Sequence, residues 1–288
     1  MLAHEEVEIG ELRGGRVGAL GSAPAGPIGT ASHARYHSRP MPLPERPGLS
    51  VVLPVYNEAL VLERTFRELL PFLERLEGVS GDFEVMCVDD GSRDGSAQML
   101  ARAAAQDARV RVHTLPANRG KGAAVRAGVL EARGAAVLFM DADLSTPLQE
   151  TRPFLASLAA GHDVAIGNRR APGSEIRRRQ PWLRQTLGKG FTLLARTLLA
   201  PGVGDFTCGF KAFRAEAARE IFRRSTLDGW AFDAELIVIA RAQGWRIAQL
   251  PVTWRHEDDT KVRLGAAVLS SLRDVGVIWL RRIRGRYR

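Results

Sequence analysis

Two acids one residue apart, Asp141 and Asp143, close the apolar run Val137-Leu138-Phe139-Met140. Carboxylates at that spacing beyond a strand can turn onto one divalent ion. Hard Mg2+ or Mn2+ suits oxygen ligands, often one or two carboxylates completed by substrate phosphates. Taken alone, the pair reads equally well as a solvated acidic turn. Other polar groups follow other apolar runs. Pro54, Tyr56 and Glu58 end the first, and Asp89 and Asp90 open the turn Asp89-Asp90-Gly91-Ser92-Arg93-Asp94-Gly95 after the second. Lys121 sits in the glycine-flanked turn Asn118-Arg119-Gly120-Lys121-Gly122, and Arg169 in Asn168-Arg169-Arg170. Arginine suits two-pronged phosphate recognition, although a solvated basic loop has the same composition.

The elements that must carry these groups are legible from periodicity. Strands are expected at 49–54, 83–88, 110–115 and 136–140, with helices at 58–76, 96–105 and 123–132 between them. Such alternation argues an α/β fold with a parallel sheet and helices on both faces. Ligands bind beyond the carboxyl ends of strands in such sheets. Segments 54–58, 89–94 and 141–146 then share one edge, where Asp89, Asp90, Asp141 and Asp143 crowd together and favour a bound cation. The second half reads as a helix 147–160, a strand 163–167, a mobile basic loop 171–180 and a helix 182–199. A turn into a strand at 204–213, a helix from 228–235 to about 243–244 and a last strand 245–254 around Pro251 complete it.

The 288 residues carry a net charge of +9. From Arg241 onward there are 11 Lys/Arg against 4 Asp/Glu, and residues 169–196 hold eight Lys/Arg with only Glu175 opposing them. Two basic zones indicate anionic partners: phosphate groups or an anionic membrane surface. No zinc-finger spacing or RNA-reading aromatic motif is present, so no nucleic acid partner is expected. Two cysteines make neither a disulfide framework nor a zinc site and fit a reducing compartment. No apolar stretch reaches the length of a membrane span. Residues 1–48, rich in Gly, Pro, Ala and Arg, read as a disordered leader. In the tail, 261–288, Leu264, Val268, Leu272, Val275 and Trp279 fall at helical spacing, with Leu269 and Ile283 flanking, and Arg273, Arg281, Arg282, Arg284, Arg286 and Arg288 supply positive charge. Such a basic amphipathic helix lies in a membrane interface or packs on its own domain.

Together, Val51-Val52-Leu53-Pro54-Val55-Tyr56-Asn57-Glu58, Val88-Asp89-Asp90-Gly91-Ser92-Arg93-Asp94 and Asp141-Ala142-Asp143 resemble the signature set of family 2 glycosyltransferases with the GT-A fold, over residues 49–260. Asn118-Arg119-Gly120-Lys121-Gly122, Asp141-Ala142-Asp143-Leu144-Ser145-Thr146-Pro147, Asp205-Phe206-Thr207-Cys208-Gly209-Phe210-Lys211 and Trp230-Ala231-Phe232-Asp233-Ala234-Glu235 are similar to dolichyl-phosphate β-glucosyltransferases. The polyprenyl-phosphate mannosyltransferases share less: a Gln-containing sequence commonly follows their two acids, where Ser145-Thr146-Pro147 stands here. Eukaryotic members carry an N-terminal membrane span that this leader is too polar to form. Attachment at the cytoplasmic face of the membrane through the tail is therefore expected.

The resemblance implies a UDP-sugar donor, a polyprenyl or dolichyl phosphate acceptor and inverting transfer of a hexose, glucose by default. It places Asp141 and Asp143 on Mg2+ or Mn2+ against the donor diphosphate. Arg169 adds a second clamp. Pro54, Tyr56, Glu58, Asp89 and Asp90 shape the nucleoside pocket, and Lys121 approaches the base or phosphate. Asp205 and Asp233 are base candidates if the acceptor is a sugar hydroxyl; otherwise they orient Lys211 or the sugar. Lys211 and Arg177-Arg178-Arg179 either steer the lipid phosphate or serve structure. The alternatives are transfer to a sugar hydroxyl of a glycolipid or polysaccharide, a sugar-nucleotide nucleotidyltransferase, and a non-enzymatic basic protein on membrane or nucleic acid.

Overall fold

The computed structural model describes residues 47–79, 82–178, 182–255 and 264–288; residues 1–46 of the expected leader lie outside the described residues. In chain order these form β1 Leu49–Val55, α1 Ala59–Glu74, β2 Phe83–Asp89, α2 Ser96–Gln106, β3 Val110–Thr114, α3 Lys121–Glu131 and β4 Ala136–Met140. A single 3-10 turn, Leu148–Glu150, leads into α4 Thr151–Ala159. Then come β5 Val164–Asn168, β6 Glu175–Arg178, α5 Trp182–Leu198, β7 Phe210–Arg214, α6 Ala215–Arg224, α7 Phe232–Ala242, β8 Ile247–Pro251, β9 Thr253–Arg255 and α8 Leu264–Ile283.

Seven strands make one sheet in the order β3-β2-β1-β4-β7-β5-β8. β1 runs parallel to β2 and β4, β2 to β3, and β5 to β8. β7 alone is antiparallel, inserted between β4 and β5. Pro54 is tolerated inside β1 because pairing with β4 ends at Val52 opposite Phe139, before its missing N–H would be needed.

The strands are buried on both faces, and side chains alternate between two cores. Val52, Val88, Val137, Phe139 and Phe213 pack with α3, α6 and α7 on one face. Val51, Leu53, Val85, Cys87 and Leu138 pack with residues of α1, α2 and α4 on the other. Each fully buried side chain of this kind contributes about 1.5–3 kcal/mol.

Three expectations are corrected, and a fourth is refined. The basic segment 171–180 contains β6, which pairs with β9 in a separate two-stranded sheet. The single strand expected at 245–254 is two strands, β8 and β9, in different sheets. A helix, α6, follows β7 directly, where none is expected. The tail helix packs on α5 and α7. Its Val275 and Ile278 are buried, while Leu272, Trp279, Leu280 and Ile283 are exposed, so the expected apolar stripe divides between two faces. No helix among the described residues is long and apolar enough to cross a membrane.

Candidate active site

Parallel β1, β2, β4 and β5 end on one edge of the sheet, and antiparallel β7 begins there. That topology gathers segments 56–58, 89–94, 141–145, 168–170 and 205–209. α1 braces the two acids behind β4. Thr65 Oγ1 donates to the Ala142 carbonyl at 2.5 Å, and Arg64 Nη2 to that of Asp143 at 2.7 Å. Leu144 holds a left-handed backbone, φ 56°, which costs a non-glycine residue roughly 1–2 kcal/mol. The turn is closed by the Ser145 N–H on Asp143 Oδ1 at 2.8 Å. Gly209 backs the Asp141 carboxylate so closely that any Cβ there would overlap it.

Lys121, at the start of α3, ion-pairs with Asp141 Oδ1. Burial lowers its pKa, but the charges of Asp141 and Asp233 outweigh that and raise it. Burial, then the Asp141 charge, pushes the Asp143 carboxyl up. Two hard carboxylates with excess negative charge fit a divalent cation. Among the described residues no group of three or more His, Cys, Asp or Glu side chains could enclose one. The set suits an ion completed by substrate oxygens, as Mg2+ or Mn2+ with a diphosphate would be.

On the same sheet edge, past the ends of β1, β2 and β3, lies a cleft of about 430 Å3, lined by Tyr56, Asp89, Ser92, Arg93, Pro116 and Asn118 among others. Asn57, also left-handed at φ 55°, locks its rim. Its N–H donates to Ser92 Oγ at 2.9 Å, and its Oδ1 accepts the Arg93 N–H at 2.7 Å. Asp89 Oδ1 accepts the Ser92 N–H at 2.9 Å. Tyr56 and Asp89 thus stand on the cleft wall, with Pro54 behind them in β1 and Glu58 donating its N–H to Ser96 Oγ at 2.8 Å. Asp90 is turned to another task. It accepts the N–H groups of Arg119 (2.7 Å) and Gly120 (2.8 Å) and Asn118 Nδ2 (3.0 Å), fastening the turn before Lys121.

At the opposite side Arg169 forks onto Asp205, Nε to Oδ2 at 2.6 Å and Nη2 to Oδ1 at 3.0 Å. Burial opposes ionisation of Asp205, but the Arg169 guanidinium outweighs it and holds the carboxyl at about 2. Lys211 has 0% exposure, and its ammonium meets three acceptors: Phe206 O (3.2 Å), Cys208 O (2.6 Å) and Asp233 Oδ1 (2.5 Å). Arg169 therefore lies in the site but is committed to Asp205. Asp205 and Asp233 each hold a cation, and Lys211 spans the turn that presents Gly209. Arg177 pairs with Glu175 on the surface. Arg179 lies outside the described residues.

Sequence reasoning misses Asn57, Ser92, Thr65, Gly209 and Trp230. Asn57 and Gly209 lie inside motifs already singled out, and only their geometry reveals them. Trp230 is 47% exposed, with the Lys121 ammonium 5.6 Å from its ring centroid.

Comparison with known proteins gives the family. Residues 50–222 match the model of glycosyl transferase family 2. The chain is 36% identical to a dolichyl-phosphate beta-glucosyltransferase of Trichomonas vaginalis, over 75% of this chain and 66% of that protein. It is 34% identical to the dolichyl-phosphate beta-glucosyltransferases of Drosophila melanogaster and Homo sapiens, each over 83% of this chain and 77% of the relative. Among solved structures it superposes on mannosyl-3-phosphoglycerate synthase from Rubrobacter xylanophilus with a TM-score of 0.62 at 22% identity, covering 83% of this chain and 75% of that one. It also superposes on glucosyl-3-phosphoglycerate synthase from Mycobacterium tuberculosis in complex with Mn2+, UDP and phosphoglyceric acid, with a TM-score of 0.59 at 22% identity, covering 80% and 78%. The chain is a member of glycosyltransferase family 2 on the GT-A fold, an enzyme similar to the dolichyl-phosphate beta-glucosyltransferases.

Proposed function

We propose that the enzyme transfers a glucosyl residue from UDP-glucose to a polyprenyl or dolichyl phosphate, with inversion and with Mg2+ or Mn2+. The observation that carries this reading is the commitment of both base candidates, Asp205 to Arg169 and Asp233 to Lys211. A sugar hydroxyl needs a base to attack; a phosphate is already anionic near neutral pH and does not. The activity of the relatives points to the same acceptor.

The uridine lies in the cleft between Tyr56, Asp89 and Asn118. Asp141 and Asp143 would hold the metal beside the donor diphosphate. When bound, that ion offsets the charge that develops on the departing UDP. Lys121 stands beside Asp141 and adds a second positive charge on the same oxygens. A phosphate oxygen of the acceptor attacks C1 from the face opposite the diphosphate. The C1–O bond to UDP breaks with its electron pair on the β-phosphate, so an α-linked donor gives a β-linked product. Arg169, held by Asp205, contributes field rather than a proton.

The protein reaches its lipid substrate from the membrane surface, as a peripheral protein on the cytoplasmic face. Exposed Leu272, Trp279, Leu280 and Ile283 on α8 adjoin exposed Arg273, Arg284 and Arg286. Leu193 and Leu198 of the neighbouring α5 are also exposed. An apolar strip rimmed by arginines suits an anionic leaflet. Product analysis tests the reading: NMR of the lipid formed from UDP-glucose and polyprenyl phosphate should show a β-glucosyl phosphate. An α-linked product, or a glucosylated hydroxyl, would overturn it.

A further inference from the structure

Glu235, in the first turn of α7, has 0% exposure and takes no part in the transfer step. Its carboxylate gathers donors from two places. Oε2 accepts the N–H groups of Thr226 (2.8 Å) and Leu227 (2.9 Å), and Oε1 accepts Thr226 Oγ1 (2.9 Å). Oε1 also accepts Tyr287 Oη at 2.8 Å and Arg281 Nη1 at 3.2 Å, both from the C-terminal segment. Arg281 bonds Thr226 Oγ1 as well, and Gln243 Nε2 donates to the Tyr287 carbonyl at 2.5 Å. A buried carboxylate is costly unless so surrounded.

The loop that Glu235 grips, residues 226–231, grips the site in turn. The Asp228 carbonyl accepts the N–H of Gly122 at 2.8 Å and of Ala123 at 3.4 Å, in the first turn of α3. Its carboxylate holds Arg119 at 3.1 Å and also pairs with Arg126. Between these anchors Lys121 bonds Asp141, with Trp230 beside it. A continuous run of contacts thus leads from Tyr287 and Arg281 through Glu235, Thr226 and Asp228 to Lys121 and Asp141.

We propose that Glu235 is a positioning residue of the transfer site, fastening loop 226–231 to the C-terminal segment so that Tyr287 and Arg281 set where Lys121 and Trp230 stand beside Asp141. On the nucleoside side residues 118–120 have a second anchor outside this latch: Asp90 holds all three, so they are not held through Asp228 alone. Loosening the latch shifts Lys121 from the donor diphosphate and leaves the uridine cleft in place.

Tyr287→Phe and Glu235→Gln test this in the full chain. Hydrogen exchange followed by mass spectrometry should show at least fivefold faster exchange in peptides spanning 120–126 and 226–231, with β2 unchanged. KM for UDP-glucose should rise about fivefold while the Kd for UMP, which lacks the β-phosphate, stays within twofold. A smaller folded fraction moves neither constant. Unchanged exchange at 120–126, or equal acceleration in β2, would overturn the proposal. So would equal rises in KM and in the UMP Kd. If Glu235→Gln does not fold, Tyr287→Phe, which removes one donor of the five, decides. The kinetic arm rests on the UDP-glucose reading. Should the wild type not use that donor, that reading fails, and the exchange arm still decides the latch.

Discussion

Arg169 and Asp205 form a buried two-pronged ion pair at 2.6 and 3.0 Å across the site from Asp141 and Asp143. With its carboxyl held at about 2 in the folded protein, below the ordinary value of about 3.9, Asp205 contributes stability that is complete above that ordinary value. The contribution is lost only as pH falls toward 2. Between pH 6 and 9 the group does not titrate, so kcat/KM against pH should carry no limb from Asp205. Asp205→Asn leaves Arg169 unmatched and should lower stability by about 3–5 kcal/mol, read as a fall in Tm. The shape of the pH profile should not change. A limb that vanishes in the variant, with kcat down by several orders of magnitude, would instead identify a general base and a hydroxyl acceptor.

Asp143→Asn separates charge from shape. The amide retains the Oδ1 that receives the Ser145 N–H, so the turn should survive. Transfer should fall by about 10^3 or more, as when an electrostatic group at the leaving diphosphate is lost. Binding of Mn2+ in the presence of UDP, followed by electron paramagnetic resonance, should weaken with it. Wild-type Mn2+ affinity and turnover would remove Asp143 from the metal site.

Gly209→Ala should damage the site from behind. Its Cβ would overlap the Asp141 carboxylate, and displacing a reacting group by about 1 Å can cost 10^2-fold in rate. A kcat loss of that order is expected, with weakened Mn2+ binding. Gly190 of α5 has open space around its missing Cβ. Gly190→Ala should leave kcat unchanged and stabilise the fold by up to about 1 kcal/mol. Equal behaviour of the two variants in the transfer assay would contradict this account of Gly209.

The two faces of α8 should respond differently. Replacing exposed Trp279 and Ile283 with Ser should reduce sedimentation with anionic vesicles several-fold and leave Tm nearly unchanged. Val275→Ala, on the buried face, should lower stability by about 0.5–2 kcal/mol and leave vesicle binding intact. Undiminished sedimentation of the double variant would remove this face as the membrane contact.

Much of the positioning half of the fold is legible in sequence. β1, β2 and β4 are short β-branched or apolar runs ending in turn-rich polar segments, and that pattern survives burial on both faces. The direction of β7 is not legible, because Phe210–Arg214 carries no mark of its antiparallel insertion. Nor is the division at Val252, where the chain leaves the main sheet after β8 and β9 joins β6. The identities of Asp205, Lys211, Asp233 and Arg169 are evident as charges, but their partners are not. Arg169 and Asp205 are 36 residues apart, Lys211 and Asp233 22, and Glu235 and Tyr287 52. Which cation meets which acid is settled by the tertiary fold. The tail's helical period is legible, and the face it buries depends on α5 and α7.

Transfer to a lipid phosphate is tested most directly by incubating the protein with labelled UDP-glucose and Mn2+, with polyprenyl phosphate in one arm and the dephosphorylated polyprenol in the other. Solvent extraction follows, with and without a chelator. Label should enter the organic phase with the phosphate alone and disappear on chelation. Equal labelling of the free alcohol, or labelling that survives chelation, would contradict the account.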